Sequence, residues 1–365
     1  MILARSHPAY VASVATAFPA HEVGQERASQ VLARLFPGEE PERIETLVRR
    51  SGVDRRFIVQ SPDDVLVPQD FSARNRFYHG AALDLAARAA QRALDRAGLD
   101  ASEIDAIVDV SCTGISIPAM DVALVPRLGL RHDLRRFPIT ESGCAAGSLA
   151  LGLAGSLART GQTVLVTAVE LCSLTLCPGD QSRTNLVAAV LFGDGAAAAV
   201  VRPSGPGARI EATGSRLIPG TAEVMGFDVG THGMRIVLER ELPGIVAEQL
   251  PPAVESFLKA HGRGIDSVGL HLVHPGGRRI LEAYEQRFGL PEGGLVYSRR
   301  VLSQSGNLSS ASILSVLEQA WLASPQMSSD QRALMLAIGP GLSLELNLLD
   351  WSEVEPFAAP LASLR

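Results

Sequence analysis

Aromatic residues are scarce in this chain. Phe, Trp and Tyr make up 5% of 365 residues, although hydrophobic residues reach 46%. A core with so few rings has to be built from layers of small aliphatic side chains. Positive charge is not in excess either: 33 basic against 39 acidic residues leave a formal net charge of −6. That excludes the basic footprint of a nucleic-acid binder. The arginine pairs at 49–50, 55–56, 135–136, 278–279 and 299–300 are short and read mostly as solvated faces, with one or two able to hold a phosphate-bearing ligand. No apolar run approaches the length of a membrane span. The opening MILARSHPAYVASVATAFPAHEV lacks a charged segment leading into a long apolar core and a cleavage site, so a cytoplasmic protein is expected. Cysteine is sparse as well. Cys112, Cys144, Cys172 and Cys177 form neither a CxxC pair nor a zinc set, and free thiols are expected in a reducing compartment.

What the chain has is alternation. GAALDLAARAAQRALDRAGL (80–99) has helical periodicity and ends at Gly98, and IDAIVDVSC (104–112) follows as a buried strand. AMDVALVPRLGL and SLALGLAGSLART read as helices, TVLVTAVEL (163–171) and GAAAAVVRP (195–203) as strands. The second half repeats the theme. Helix LPGIVAEQLPPAVESFLKAHG precedes strand VGLHLVHPGG (268–277), helices RRILEAYEQRFGL and SSASILSVLEQAWLAS come next, and RALMLAIGPGLSLELNLLD is expected as one closing strand. Strands alternating with helices predict an α/β protein whose sheets are covered by helices. A strand, helix, strand core in each half makes an internal duplication plausible, with halves at 1–215 and 216–365.

Three segments carry candidate chemistry. In ITESGCAAGSLALGLA (139–154), Cys144 sits among small residues where an extended run turns into a helix. It reads either as a buried structural cysteine or as a nucleophile at a helix N-terminus. In HLVHPGGRRI, His274 ends an apolar strand before a forced turn; in VLSQSGNLSSASIL, Asn307 follows Gly306 just before a helix. Alone, the histidine reads as an ordinary strand-end residue and the asparagine as a turn or cap. Together the three supply a thiol nucleophile, an acid or base, and an amide donor suited to thioester attack or enolate stabilisation. Papain-like proteases share the order Cys, His, Asn, but their cysteine lies in a C-G-[SA]-C-[WY] context near the mature N-terminus, unlike SGCAAG in mid-chain.

The ordered motifs SGCAAG, LFGDGAAAAVV, HPGGRRIL, LSQSGNLSSAS and GPGLSLE resemble the type III polyketide synthases, the chalcone-synthase-like enzymes of the thiolase superfamily, from about Ala12 to Leu348. The resemblance implies a layered αβαβα fold of two related halves and a homodimer. It implies Cys144 as the acyl-accepting nucleophile, with His274 and Asn307 beside it, and Phe192 at the junction of a CoA tunnel and a cavity. Ile236 stands where a second gatekeeper phenylalanine is usual. Gly339, Pro340 and Gly341 keep most of the family's GFGPG loop. Cys112 in SCTG matches a cavity position, and Phe227 follows Met-Gly as in bacterial alkylpyrone and alkylresorcinol synthases. Leu171 and Leu174 are expected as an apolar cavity wall suited to an aliphatic starter. Arg56, with Arg55 and Arg279 as weaker candidates, is expected at the CoA phosphates. The resemblance calls for acyl-CoA and malonyl-CoA as substrates, with no metal or redox cofactor, and leaves room for a starter delivered by an acyl-carrier protein. The alternatives are a single-condensation ketoacyl-synthase III and a non-catalytic acyl-binding partner of the same fold.

Overall fold

The computed structural model describes residues 7–355, apart from 68, 178, 232, 292, 324, 326 and 353. Strand β1 (Tyr10–Ala17) enters the centre of the main sheet, and β2 (His21–Gly24) forms a small ribbon with β3 (Arg55–Ile58). Helices α1 (Gln25–Leu35) and α2 (Pro41–Arg50) lie between those two strands in sequence. Next comes α3 (Phe71–Ala97), longer than its sequence pattern by about two turns. The Asp70 side chain accepts the Ala73 N–H at 2.7 Å, which starts the helix, and Gly98 at φ 64° ends it. The extra turns, FSARNRFYH, are mostly polar and hide no periodic apolar face.

The N-terminal half continues through β4 (Ala106–Val110), α4 (Asp121–Leu128), β5 (Arg135–Ile139), α5 (Ala146–Ala158), β6 (Val164–Leu171), α6 (Arg183–Leu191) and β7 (Asp194–Arg202). The second half runs β8 (Ala208–Leu217), a hairpin of β9 (Met225–Gly230) and β10 (Gly233–Leu238), α7 (Leu242–Ala260), β11 (Val268–Val273), α8 (Arg278–Phe288), α9 (Val296–Ser305), α10 (Ala311–Ala323), β12 (Arg332–Gly339) and β13 (Ser343–Asp350). The expected single closing strand is thus a hairpin. Pro340-Gly341 breaks it, with Gly341 at φ 121°, and β12 then pairs antiparallel with β13.

Among the described residues the main sheet has nine strands in the order β11-β12-β13-β8-β1-β7-β6-β4-β5. Within the sheet, β1 and β8 join the halves through the pairs Tyr10 with Arg209 and Val11 with Ala208. Both halves bury one face on the same central helices: Val14, Val108 and Val166 from one side, and Ala333, Met335 and Ala337 from the other, join residues of α5 and α10 in one core. The outer face of the first half packs on α3 through Ile107, Leu165 and Val200, and that of the second on α7 and α8 through Val254, Leu281 and Leu346. The order helix, sheet, helix, sheet, helix is the five-layered thiolase arrangement. Period-two alternation sends successive strand residues to different layers, which is why apolar runs such as VLVTAVEL show no polar face.

Candidate active site

In each half, parallel strands end beside the central helices and aim the loops that follow them at the same region. β4 and β6 are parallel; Cys112 follows the first, and Glu170 lies at the end of the second. β11 and β12 are parallel; His274 follows the first, and Gly339 ends the second. Ligand sites of α/β proteins gather at such carboxyl ends.

Cys144 lies in a single 3-10 turn, Gly143–Ala145, immediately before α5. Its small neighbours are required by close approach. Gly143 has φ 50°, and a Cβ there would lie 2.6 Å from Pro340 Cδ; one at Gly147 would lie 2.2 Å from the Ser310 carbonyl oxygen. The Gly339-Pro340-Gly341 loop is therefore packed directly on the cysteine turn. The thiol donates to Ser309 Oγ at 3.5 Å. Burial pushes the thiol up to about 11, while hydrogen bonding from Ser309 and Asn307 pulls the other way and nearby Glu170 adds to the rise. The helix N-terminus is as expected, but desolvation outweighs its benefit in this state.

His274 is 5% exposed. Its N–H donates to Leu336 O at 2.8 Å, fixing the turn after β11, while neither ring nitrogen has a hydrogen-bond partner among the described residues. Burial lowers the imidazole to about 3. The thiol and the imidazole are thus both held neutral, and the ring nitrogens are left for a ligand. Asn307 Nδ2 donates to Gly276 O at 3.4 Å, two residues beyond His274. Its Oδ1 accepts the Ser309 N–H at 2.8 Å, so the amide presents its NH2 toward the His274 turn.

Phe192, the C-cap of α6, forms a parallel bridge with Asn307. Ile236 on β10 lies directly opposite half-buried Phe227 on β9, so the two share a face of the hairpin. Phe192 and Ile236 line an apolar chamber of about 80 Å³ with Val31, Leu32 and Ala188. A larger cavity of about 780 Å³ runs from Gly276 and Gly277 outward past Leu191, Leu238 and Leu242 to exposed Arg50, Arg183, Arg240, Arg278 and Arg279. Among the described residues Arg278 pairs with Glu282 at 2.7 Å, and the other four have no ion-pair partner.

Three expectations require correction. Leu171 and Leu174 do not line a cavity: they are 0% and 3% exposed and belong to the outer core against α3. β6 ends at Leu171 and gives way to a 3-10 turn, so Cys172 and Thr175, one residue on from each leucine, face the chamber. Arg56 is not free for phosphate. It is 5% exposed, and its guanidinium donates to the carbonyls of Ala189 (2.6 Å), Val190 (2.6 Å) and Phe192 (3.2 Å), closing the end of α6. Burial brings it down to about 10 against the pull of Asp194. Arg55 pairs with Glu22 at 3.1 Å and lies away from the large cavity; Arg279 is on its rim.

The sequence reading also missed Ser309 and Glu170. Buried Glu170 accepts from Thr113 Oγ1 (2.8 Å), the Cys112 N–H (3.1 Å), Cys112 Sγ (3.4 Å) and Ser310 Oγ. A lone carboxylate inside the apolar run VLVTAVEL was the available signal. Among the described residues no cluster of His, Cys, Asp or Glu could hold a metal ion, and no helix is long and apolar enough to cross a membrane.

Comparison with known proteins identifies the family. The chain matches the chalcone and stilbene synthases, N-terminal domain, over residues 2–206 and their C-terminal domain over 209–351. It is 38% identical over 352 residues to the 1,3,6,8-tetrahydroxynaphthalene synthase of Streptomyces peucetius subsp. caesius, covering 93% of both chains. It is 30% identical to the alpha-pyrone synthesis polyketide synthase-like Pks18 of Mycobacterium tuberculosis, covering 94% of this chain and 91% of that one. Its fold superimposes with a TM-score of 0.89 on the tetrahydroxynaphthalene synthase of Streptomyces coelicolor A3(2), at 32% identity, covering 94% of this chain and 99% of that one. The chain belongs to the chalcone and stilbene synthase family: it is a type III polyketide synthase, a condensing acyltransferase of thiolase-like fold.

Proposed function

We propose that this enzyme loads an aliphatic acyl-CoA of medium or long chain on Cys144, extends it with malonyl-CoA, and cyclises the product to an alkylpyrone or alkylresorcinol type ring. Two observations support this reading: a cavity that begins at Gly276 and Gly277, just beyond His274, and an apolar chamber lined by Phe192, whose backbone bridges to Asn307. The one of about 780 Å³ is rimmed by arginines, four of them without an ion-pair partner among the described residues, suited to the phosphates of CoA. The other is apolar and lies behind Phe192 and Ile236. Each methylene buried there contributes about 0.8 kcal/mol.

The Cys144 thiol gives its proton to His274, and the thiolate attacks the acyl-CoA carbonyl and expels CoA. Malonyl-CoA then loses carbon dioxide, and its enolate oxygen accepts hydrogen bonds from His274 and Asn307. The enolate carbon attacks the acyl-cysteine, Cys144 leaves as thiolate, and the lengthened chain on CoA returns for another round. His274 starts unprotonated and has a free site for the thiol proton. With the imidazole at about 3 and the thiol at about 11, the transfer is uphill in this state and needs the mutual attraction of thiolate and imidazolium to proceed. The reading asks for no metal or redox cofactor, and a starter on an acyl-carrier protein would enter past the same arginines. The outer strand β5 has one edge unpaired among the described residues, and its Arg136 pairs with Asp121 at the start of α4, next to exposed Val122. That edge is the face on which we place a homodimer contact.

A second reading has a specific observation in its favour: the relative at 38% identity is named for a polyhydroxylated naphthalene. Product masses from a panel of acyl-CoAs with malonyl-CoA separate the two. Alkyl-bearing rings whose mass follows the starter support the proposal; one constant product whatever the starter supports the naphthalene-type reading.

A further inference from the structure

Ser309 stands apart in the backbone. At φ 47° it is the one residue other than glycine with positive φ among the described residues, in a region that costs an L-residue energy unless its surroundings over-determine it. The surroundings do. Its N–H donates to Asn307 Oδ1 at 2.8 Å, the Leu308 N–H donates to Ser312 Oγ at 2.7 Å, and Ser312 Oγ in turn reaches Asn307 Oδ1 at 3.3 Å. This conformation places the Ser309 hydroxyl between two sulfurs, 3.5 Å from Cys144 Sγ and 3.5 Å from Cys112 Sγ.

The order of donors along this row follows from its far end. Glu170, when ionised, can only accept. Cys112 therefore points its S–H at Glu170 Oε1, leaving a sulfur lone pair toward Ser309. Ser309 can then direct its O–H at Cys112 and accept the Cys144 S–H, which is the direction found. Once Cys144 loses its proton, the same hydroxyl has a stronger acceptor on its other side. A hydroxyl turns about one bond to reach it, and hydrogen bonds to a charged sulfur exceed those to a neutral one.

We infer that Ser309 is a positioning residue for the nucleophile: its strained backbone holds the Asn307 amide in register, and its hydroxyl turns from Cys112 to the Cys144 thiolate as that thiolate forms. Glu170 acts in the opposite sense, because its charge repels the thiolate and its hold on Cys112 sets the resting direction of the row. The ionisable groups acting on Cys144 are Glu170 from β6, Cys112 after β4 and Cys172 after β6; the proposed reaction adds His274 after β11 as proton acceptor. The inference rests on Cys144 being the nucleophile of the proposed reaction.

The test needs no substrate. Full-length enzyme is alkylated with iodoacetamide across pH 6 to 11, and the Cys144 and Cys112 peptides are quantified separately by mass spectrometry. Ser309→Gly keeps the backbone N–H and relieves the positive φ, so it folds at least as readily as the parent. It should slow Cys144 alkylation about tenfold throughout the range below the midpoint, equivalent to a midpoint about one pH unit higher; Ser309→Ala should do the same. Glu170→Gln should move the midpoint down. A Ser309→Gly profile that superimposes on the parent overturns the inference, as do Ser309 and Glu170 variants that shift the midpoint in one direction. If Glu170→Gln does not fold, Ser309→Gly decides alone. Failure of acyl-CoA to load on the parent enzyme, with these shifts intact, would count against the polyketide reading and leave the Ser309 inference standing.

Discussion

Asn307 is bonded by its backbone to the segment after α6 that carries Phe192. Its N–H donates to Leu191 O at 2.9 Å and its carbonyl accepts the Gly193 N–H at 3.0 Å, around the bridge between Asn307 and Phe192 themselves. The amide donor of the site and the side chain at the mouth of the apolar chamber are therefore one rigid unit. Arg56 holds that unit from behind through the last carbonyls of α6.

Arg56→Ala should therefore act on stability. It leaves three carbonyls without their donor and removes the positive charge that favours ionised Asp194, and a buried polar group left unpaired costs about 1–3 kcal/mol. Chemical denaturation should show that loss.

Arg279→Ala and Arg240→Ala should act in the reverse way. Both side chains are exposed on the rim of the large cavity, so melting should be unchanged while KM for acyl-CoA rises roughly tenfold, about 1.4 kcal/mol of binding. Steady-state kinetics at two ionic strengths would check this, since high salt should shrink the difference.

Asn307→Ala should separate two half-reactions. Loading of the starter should persist, while malonyl-CoA decarboxylation falls about 10²–10³-fold, the range for loss of one donor to a developing oxyanion. Equal loss of both would remove Asn307 from that role.

Ile236→Phe should shorten the preferred starter. The chamber behind Ile236 has only about 80 Å³, and a ring there occupies part of it. Competition between acyl-CoAs of different length should show the optimum moving down by a few carbons, each lost methylene contact being worth about 0.8 kcal/mol.

His274 makes the fold acid-sensitive. Its imidazole lies near 3 in the folded chain and near 6.5 unfolded, so the unfolded state takes up the proton first. The stability this group contributes is complete above about pH 6.5 and is lost as pH falls toward 3. At pH 4.5 the loss is about 2–3 kcal/mol, at 1.36 kcal/mol per pH unit. His274→Gln should remove that part of the slope in denaturation midpoints between pH 7 and 4.5.

The layered fold was legible because apolar runs and alanine-rich periodic segments alternate, and Cys144, His274 and Asn307 each sit at a visible change of element. The polar first turns of α3 and the small ribbons carry no such pattern. Residues with no apolar period had no local signal. Leu171 and Leu174 were misplaced by one residue, because sequence spacing does not reveal where β6 yields to a 3-10 turn and each neighbour swaps sides. Arg56 was misread because an arginine in DRRF looks alike whether it meets a phosphate or a helix end; only burial against three carbonyls tells them apart. Ser309 was hidden within LSQSGNLSSAS, since a positive φ at serine leaves no mark in the sequence.

The measurement closest to the central claim is intact-protein mass spectrometry of the enzyme incubated with an acyl-CoA and then with malonyl-CoA, with the adduct mapped by peptide. The account predicts an acyl group on Cys144, absent in Cys144→Ala, that is consumed on adding malonyl-CoA as a cyclised product carrying the starter is released. An adduct on another cysteine, or one extended once and released as a linear chain, would contradict it.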